Sequence, residues 1–272
     1  MIRIMILLMM LFVNSLFAQD FQGVAIYQSS SKMDLDIGES AAPSGMKEQL
    51  EAMLIKQFQK EYRLDFSIHE SIYQEEKQLE NPASNQGVKM IVIGSGGGEV
   101  LYKNTKESRY VSSNDIFGKQ FLIKDTLRKN KWELTNETKK IGNYLCYKAT
   151  RKVESIEIRN ITINGEKEKA KEKKKEQLIT AWYTPLIPVS NGPSMYGGLP
   201  GLILEVNDGK QTMLCKKIVI NPKNKVTIKE PAKGKVVTQE RFNEIMNKKI
   251  EEMKIHSSHR SGDGGIEIKI GG

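Results

Sequence analysis

The side chains from which this sequence could build chemistry are few, and none stands in a pattern that would use them. There are three histidines. His69 falls on the polar side of an alternating segment and reads as solvated. His256 and His259 are three apart, which suits two ligands on one helix face. No cysteine, third histidine or fixed carboxylate joins them in that Gly/Ser-rich tail, so no metal is expected there. The run Gly94 to Gly98, GSGGG, lacks the Lys-Ser/Thr that completes a phosphate loop and reads as a turn. No GxSxG elbow or HExxH pair occurs, and neither cysteine carries a nucleophile motif. A non-enzymatic protein without a cofactor is expected. Asp125-Thr126-Leu127 matches a short acceptor motif for O-linked glycans on periplasmic proteins, which makes Thr126 a candidate modification site.

The segment Trp182 to Leu204, WYTPLIPVSNGPSMYGGLPGLIL, is the most unusual in the chain. It holds Pro185, Pro188, Pro193 and Pro200 beside Gly192, Gly197, Gly198 and Gly201. Fixed proline φ angles next to permissive glycines specify a defined backbone path, more than a surface loop needs. Two roles are open for it, a packed corner between strands and a binding mouth. The reading combines them: Gly197, Gly198 and Gly201 are structural, and Trp182, Tyr183, Pro193, Tyr196, Leu199 and Pro200 line an opening.

The elements that must position this corner are mostly strands. A first strand runs from Phe21 to Ser30, and Met46, Leu50, Met53, Leu54 and Phe58 recur at helical spacing over Ser44 to Glu61. Period-two alternation follows over Arg63 to Tyr73, then a hairpin made by Val88 to Ile93 and Glu99 to Lys103 around the glycine turn. Short strands are expected at Glu107 to Val111, Gln120 to Lys124, Lys131 to Leu134, Tyr144 to Ile158, Leu178 to Thr184, Leu202 to Asn207 and Gln211 to Ile220. Gly165 to Glu176 has six Lys and four Glu and reads as a solvated loop or helical hairpin tip. Thr238 caps a second amphipathic helix, Gln239 to Lys254, with Phe242, Ile245, Met246, Ile250 and Met253 inward. The tail 256–272 reads as flexible, with a strand-like piece at Ile266 to Ile270.

Arg3, the apolar run Ile4 to Val13 and the small residues up to Ala18 have the order of a cleavable signal peptide, too short to span a bilayer. No cysteine follows the expected cut, so no lipid anchor or stable membrane insertion is expected, and residues 19–255 are expected to form one exported domain. The chain carries a net charge of +9, but only 8 of its 42 basic residues are Arg. Lysine-rich surfaces suit solvation better than nucleic-acid readout, and no nucleic-acid partner is expected. Cys146 and Cys215, an even count in an oxidising compartment, are expected to pair.

On the hexamer GLPGLI at Gly198 to Ile203, the chain resembles the GLPGLI proteins. FLIKDTL (Phe121 to Leu127), KWELTNETKKIGNYLCYKAT (Lys131 to Thr150), AWYTPLIPVSNGP (Ala181 to Pro193) and CKKIVIN (Cys215 to Asn221) add to the likeness. The resemblance implies an exported Gram-negative protein without an established activity, often encoded near outer-membrane transport genes, and assigns no catalytic residue. The expected architecture is mainly β with two flanking helices (α+β), on a strongly curved antiparallel sheet similar to the half-barrels of periplasmic lipoprotein carriers. The expected function is a periplasmic or envelope binding or accessory protein holding an apolar small molecule or an outer-membrane transport partner. The alternative is a structural or assembly adaptor acting through a sheet edge and the C-terminal tail.

Overall fold

The computed structural model describes residues 21–31, 59–76, 100–116, 118–159, 162–163, 166–167 and 171–258. The leader, the GSGGG turn, most of the first expected helix and the tail beyond Ser258 lie outside the described residues.

Alternation sets the first strand. In β1 (Gln22–Ser31) Gly23, Ala25, Tyr27 and Ser29 are buried while the residues between them are half-buried. The chain then runs through β2 (Lys60–Ser67), β3 (Glu70–Glu75), β4 (Val100–Asn104), β5 (Arg109–Ile116) and β6 (Lys119–Thr126), each antiparallel to the one before it. After β7 (Glu133–Ile141) and β8 (Tyr144–Arg159) come a separate pair, β9 (Thr162–Ile163) and β10 (Glu166–Lys167). The main sheet resumes with β11 (Lys171–Thr184), β12 (Leu202–Asn207), β13 (Gln211–Ile220) and β14 (Lys235–Val237). Its twelve strands are ordered β14-β6-β5-β4-β3-β2-β1-β13-β12-β11-β8-β7. Two meanders therefore meet at one seam, where β1 pairs antiparallel with β13 and Tyr27 stands opposite Cys215.

This architecture corrects the expected one. The sheet is mixed, because β14 lies parallel to β6. It is neither closed nor strongly curled, so it is not a half-barrel. One helix, α1 (Gln239–Ser258), is present among the described residues. Thr238 caps it, its Oγ1 accepting from Arg241 N at 3.2 Å. Its apolar stripe is only half-buried: Phe242 meets Phe121 edge-on with ring centroids 5.7 Å apart, and Ile245, Met246 and Ile250 keep part of their surface in solvent. The other expected helix ran to Glu61, yet Lys60 and Glu61 already belong to β2. The Pro/Gly corner joins the core, its Ile187 and Val189 buried in the main cluster with Tyr27, Leu64, Phe66, Leu202 and Leu204. A second cluster holds Ala149, Ala181, Tyr183, Leu199, Ile203 and Val206.

Two local readings also change. The alternation from Arg63 to Tyr73 is a hairpin, β2 to β3, turning at Ile68 and His69, where Ser67 Oγ accepts from Glu70 N at 3.1 Å and Ile68 is exposed. The charged stretch is not a loop from Lys171 onward. Lys171 to Glu176 pair with Arg159 to Glu154 as a two-stranded ribbon in which Lys173 stands opposite Glu157. A hairpin ladder needs backbone hydrogen bonds and tolerable cross-strand charges, not apolar side chains.

Candidate functional site

Between β11 and β12 the chain folds back onto the sheet. Leu202 N donates to Ile187 O at 3.0 Å and Ile203 N to Asn191 O at 3.0 Å, so the entry and exit of the corner are tied together. Gly201 permits this closeness: with φ at 156°, a Cβ built there would stand 2.2 Å from Thr184 O. Gly198 is required for a different reason. Its φ is 87°, and a Cβ there would make only ordinary contacts, 3.9 Å from Asn130 Cβ and 4.0 Å from Trp132 Nε1. The Gly197 carbonyl accepts from Asn130 Nδ2 at 3.0 Å and Trp132 Nε1 at 2.9 Å, which docks the corner against the connector before β7.

The corner is pinned from beneath by Lys103. This β4 side chain is 3 % exposed, and its ammonium donates to the carbonyls of Gly192 at 2.9 Å, Ser194 at 2.6 Å and Tyr196 at 3.2 Å. Three donors meet three backbone acceptors, so the loop 192–196 is satisfied without a carboxylate. Burial pulls the amine down to about 7.

Beside the pinned loop lie two cavities of about 320 and 430 Å³. Both are lined by Arg128, Asn130, Met195 and Tyr196, so they adjoin along one rim and form a groove. Met195 is exposed at that rim. Tyr196 is half-buried, and its hydroxyl lies 3.3 Å from Asp208 Oδ2; burial first and then Asp208 push the phenol up to about 12. Arg151 donates from Nη1 to Asn130 Oδ1, and its guanidinium carbon is 5.4 Å from the Trp132 ring centroid. Its Nε is buried and has no hydrogen-bond partner among the described residues. Asp125 accepts from Thr126 N at 2.7 Å and from Gln239 N, at the start of α1, at 3.0 Å. Those hydrogen bonds, Thr126 first, hold its carboxyl below the usual range.

The structure divides the residues expected to line a mouth. Tyr196 stands at the groove. Pro193 is buried in the pinned loop, and Pro200 is exposed on the corner's surface. Leu199 and Tyr183 are buried in the second core cluster. Trp182 lies against the first cluster instead, with Lys139 Nζ 4.4 Å over its ring and Lys139 held 2.7 Å from Glu205. Strand alternation separates Trp182 from Tyr183, and a bulge between them shifts the register with β12. Thr126 is exposed at the end of β6.

Cys146 and Cys215 are not bonded to each other. Both thiols are free and buried, on β8 and β13, with β11 and β12 between them. Both thiols sit in the main core cluster, near enough for Cys146 to help push the Cys215 thiol up, but no bond joins them. No group of three or more His, Cys, Asp or Glu able to hold a metal occurs among the described residues, nor does a helix long and apolar enough to cross a membrane.

Lys103, Arg128, Asn130 and Arg151 were not singled out by their spacing. Lys103 shares the parity of buried Leu101, and a lysine on an apolar strand face was the one available signal. Arg128 and Asn130 lie in an irregular connector, and Arg151 looks like any other charged residue on a strand.

No curated protein matches the chain. Two solved structures of PNGF-II, in C2 and P21 space groups, are similar at 15 % and 17 % identity with TM-scores of 0.46 and 0.42. They cover 83 % and 76 % of this chain, which itself spans only 32 % and 29 % of theirs, and likeness at that level carries no argument. Residues 132–205, which run from β7 to β12 and include the GLPGLI hexamer, match the family model described as a protein of unknown function (Porph_ging).

Proposed function

We propose that this chain is an exported, non-enzymatic binding protein of the cell envelope, of the GLPGLI type, whose ligand seat is the groove beside the corner. The observation that carries the reading is preorganisation. The loop that walls both cavities is held by a buried lysine, two glycines in special conformations and a docked carbonyl. A site held in its bound shape loses less entropy when the ligand arrives. The combined volume suits a small molecule. The leader-like N-terminus supports export.

The test is native mass spectrometry of the full chain purified from its own periplasm, together with the Tyr196→Ala variant. The wild type should carry a small molecule that the variant, folded by circular dichroism, has lost. Equal loading of both, or none in either, would sink the reading.

A second reading, an assembly adaptor, draws on the ribbon. Beyond Thr150 on β8 and Thr180 on β11, no further strand among the described residues flanks the pair. Two free edges there could meet a partner chain.

A further inference from the structure

We propose that the groove takes a small anionic ligand, one whose carboxylate or phosphate is gripped by Arg128 and Arg151. This rests on the groove being the binding site.

The charges around it are unbalanced. The two cavities are lined by four cationic side chains, Lys103, Arg128, Lys129 and Arg151, and by one acid, Asp125. Asp125 is committed, one oxygen to Thr126 N and the other to the first amide of α1. Lys103 is committed as well, its three protons on backbone carbonyls. Arg128 lies near enough to Asp125 to help lower its carboxyl, but among the described residues none of Arg128, Lys129 and Arg151 forms an ion pair with a carboxylate.

The other arginines show how unusual this is. Arg63 pairs with Asp65 at 2.8 Å, Arg109 with Glu230 at 2.8 Å and Arg241 with Glu244 at 2.5 Å. Arg128 and Arg151 have no carboxylate partner among the described residues, and these two line the same 430 Å³ cavity. Arg151 is already oriented, with Asn130 on Nη1 and the Trp132 ring beside it. Its Nε–H is left without an acceptor among the described residues. Nε and the second terminal nitrogen form the edge of a guanidinium that receives an oxyanion in two parallel hydrogen bonds. Tyr110, Asn243 and Ser194 on the same wall supply neutral polar contacts for the rest of a sugar-sized molecule, and Met195 and Tyr196 supply apolar surface.

The experiment is isothermal titration of the full chain with glucuronate, inorganic phosphate and, as the neutral counterpart, glucose, at low and high salt. The variants are Arg128→Glu, which is exposed and outside the core, and Arg151→Gln. Saturable binding of glucuronate or phosphate is expected, weakened by salt, with Kd raised at least tenfold by each substitution and no heat from glucose. Which anion binds tells a carboxylate ligand from a phosphate one. Glucose binding as well as glucuronate, or an affinity untouched by Arg128→Glu, overturns the proposal, and so does the absence of saturation by either anion. A neutral apolar probe, Nile red, separates the two failures. If it binds and Tyr196→Ala abolishes that, the groove stands as a binding site and only its anionic character falls; if it does not bind either, both readings fall.

Discussion

Replacing Lys103 by Met removes the pin under the corner and should change how stability depends on pH. Burial holds this amine at about 7 in the folded chain, against an ordinary 10.5. Below pH 7 both folded and unfolded chains carry the proton and this group adds no slope. From pH 7 to 10.5 the unfolded chain binds more protons, so the free energy of unfolding rises with pH. Each pH unit in that window contributes at most about 1.4 kcal/mol, and rounding near the lower pKa leaves about 2 kcal/mol between pH 7 and 9. Met fits the apolar stem but cannot titrate, and it leaves the carbonyls of Gly192, Ser194 and Tyr196 without their donor, at about 1 kcal/mol or more each. Urea unfolding of wild type and variant across pH 6 to 9 measures the difference directly, since other titrating groups cancel. The wild type should gain on the variant by about 2 kcal/mol between pH 7 and 9. A difference that stays constant over that range would refute the reasoning, because it would mean that the three carbonyls hold the amine at its ordinary value.

Gly201→Val should lower stability by about 3 kcal/mol through collision with Thr184 O, while Gly198→Ala, strained in φ but with ordinary contacts to Asn130 and Trp132, should cost only about 1 kcal/mol. Thermal melts that rank the two the other way would show the close approach is misplaced. Burial pushes the Cys146 thiol up to about 11 and the Cys215 thiol up to about 12, so neither should react with a thiol reagent at pH 8 in the folded chain, and both should react once it is unfolded. Labelling of the folded protein, or a chain lighter by two protons from a disulfide, would contradict this.

Individual strands were legible where one face is buried. Leu202 to Asn207 and Gln211 to Ile220 stand as read from their apolar spacing, and Thr238 marks the start of α1 because an Ncap hydroxyl before a charged, periodic run has few other uses. What depends on pairing was not legible. The ribbon formed by Lys171 to Glu176 has no apolar pattern to betray it, and its order comes from the strand opposite. The turn at Ile68 hides inside an alternation that continues on both sides of it. That the cysteines are free was not legible either, because both segments look suited to pairing and strand order, with β11 and β12 between them, shows in neither. The corner announced itself by its prolines and glycines, but its partners did not. Lys103 lies 89 residues before the carbonyl of Gly192 that it holds, and no local pattern connects them.

The seam between β1 and β13 has a kinetic consequence. Most other antiparallel contacts in the sheet join strands that follow one another along the chain, so each meander can assemble from short-range hairpins. The seam instead brings Tyr27 to Cys215, 188 residues further along the chain. The entropy of closing so long a loop must be met before any contact across it gives a return, and topologies dominated by such contacts fold slowly. The two meanders are thus the early units, and the joint between them is the late one. Until it closes, β1 and β13 each present an unpaired edge, and a newly made chain at this stage is most exposed to pairing with a neighbour instead of with itself.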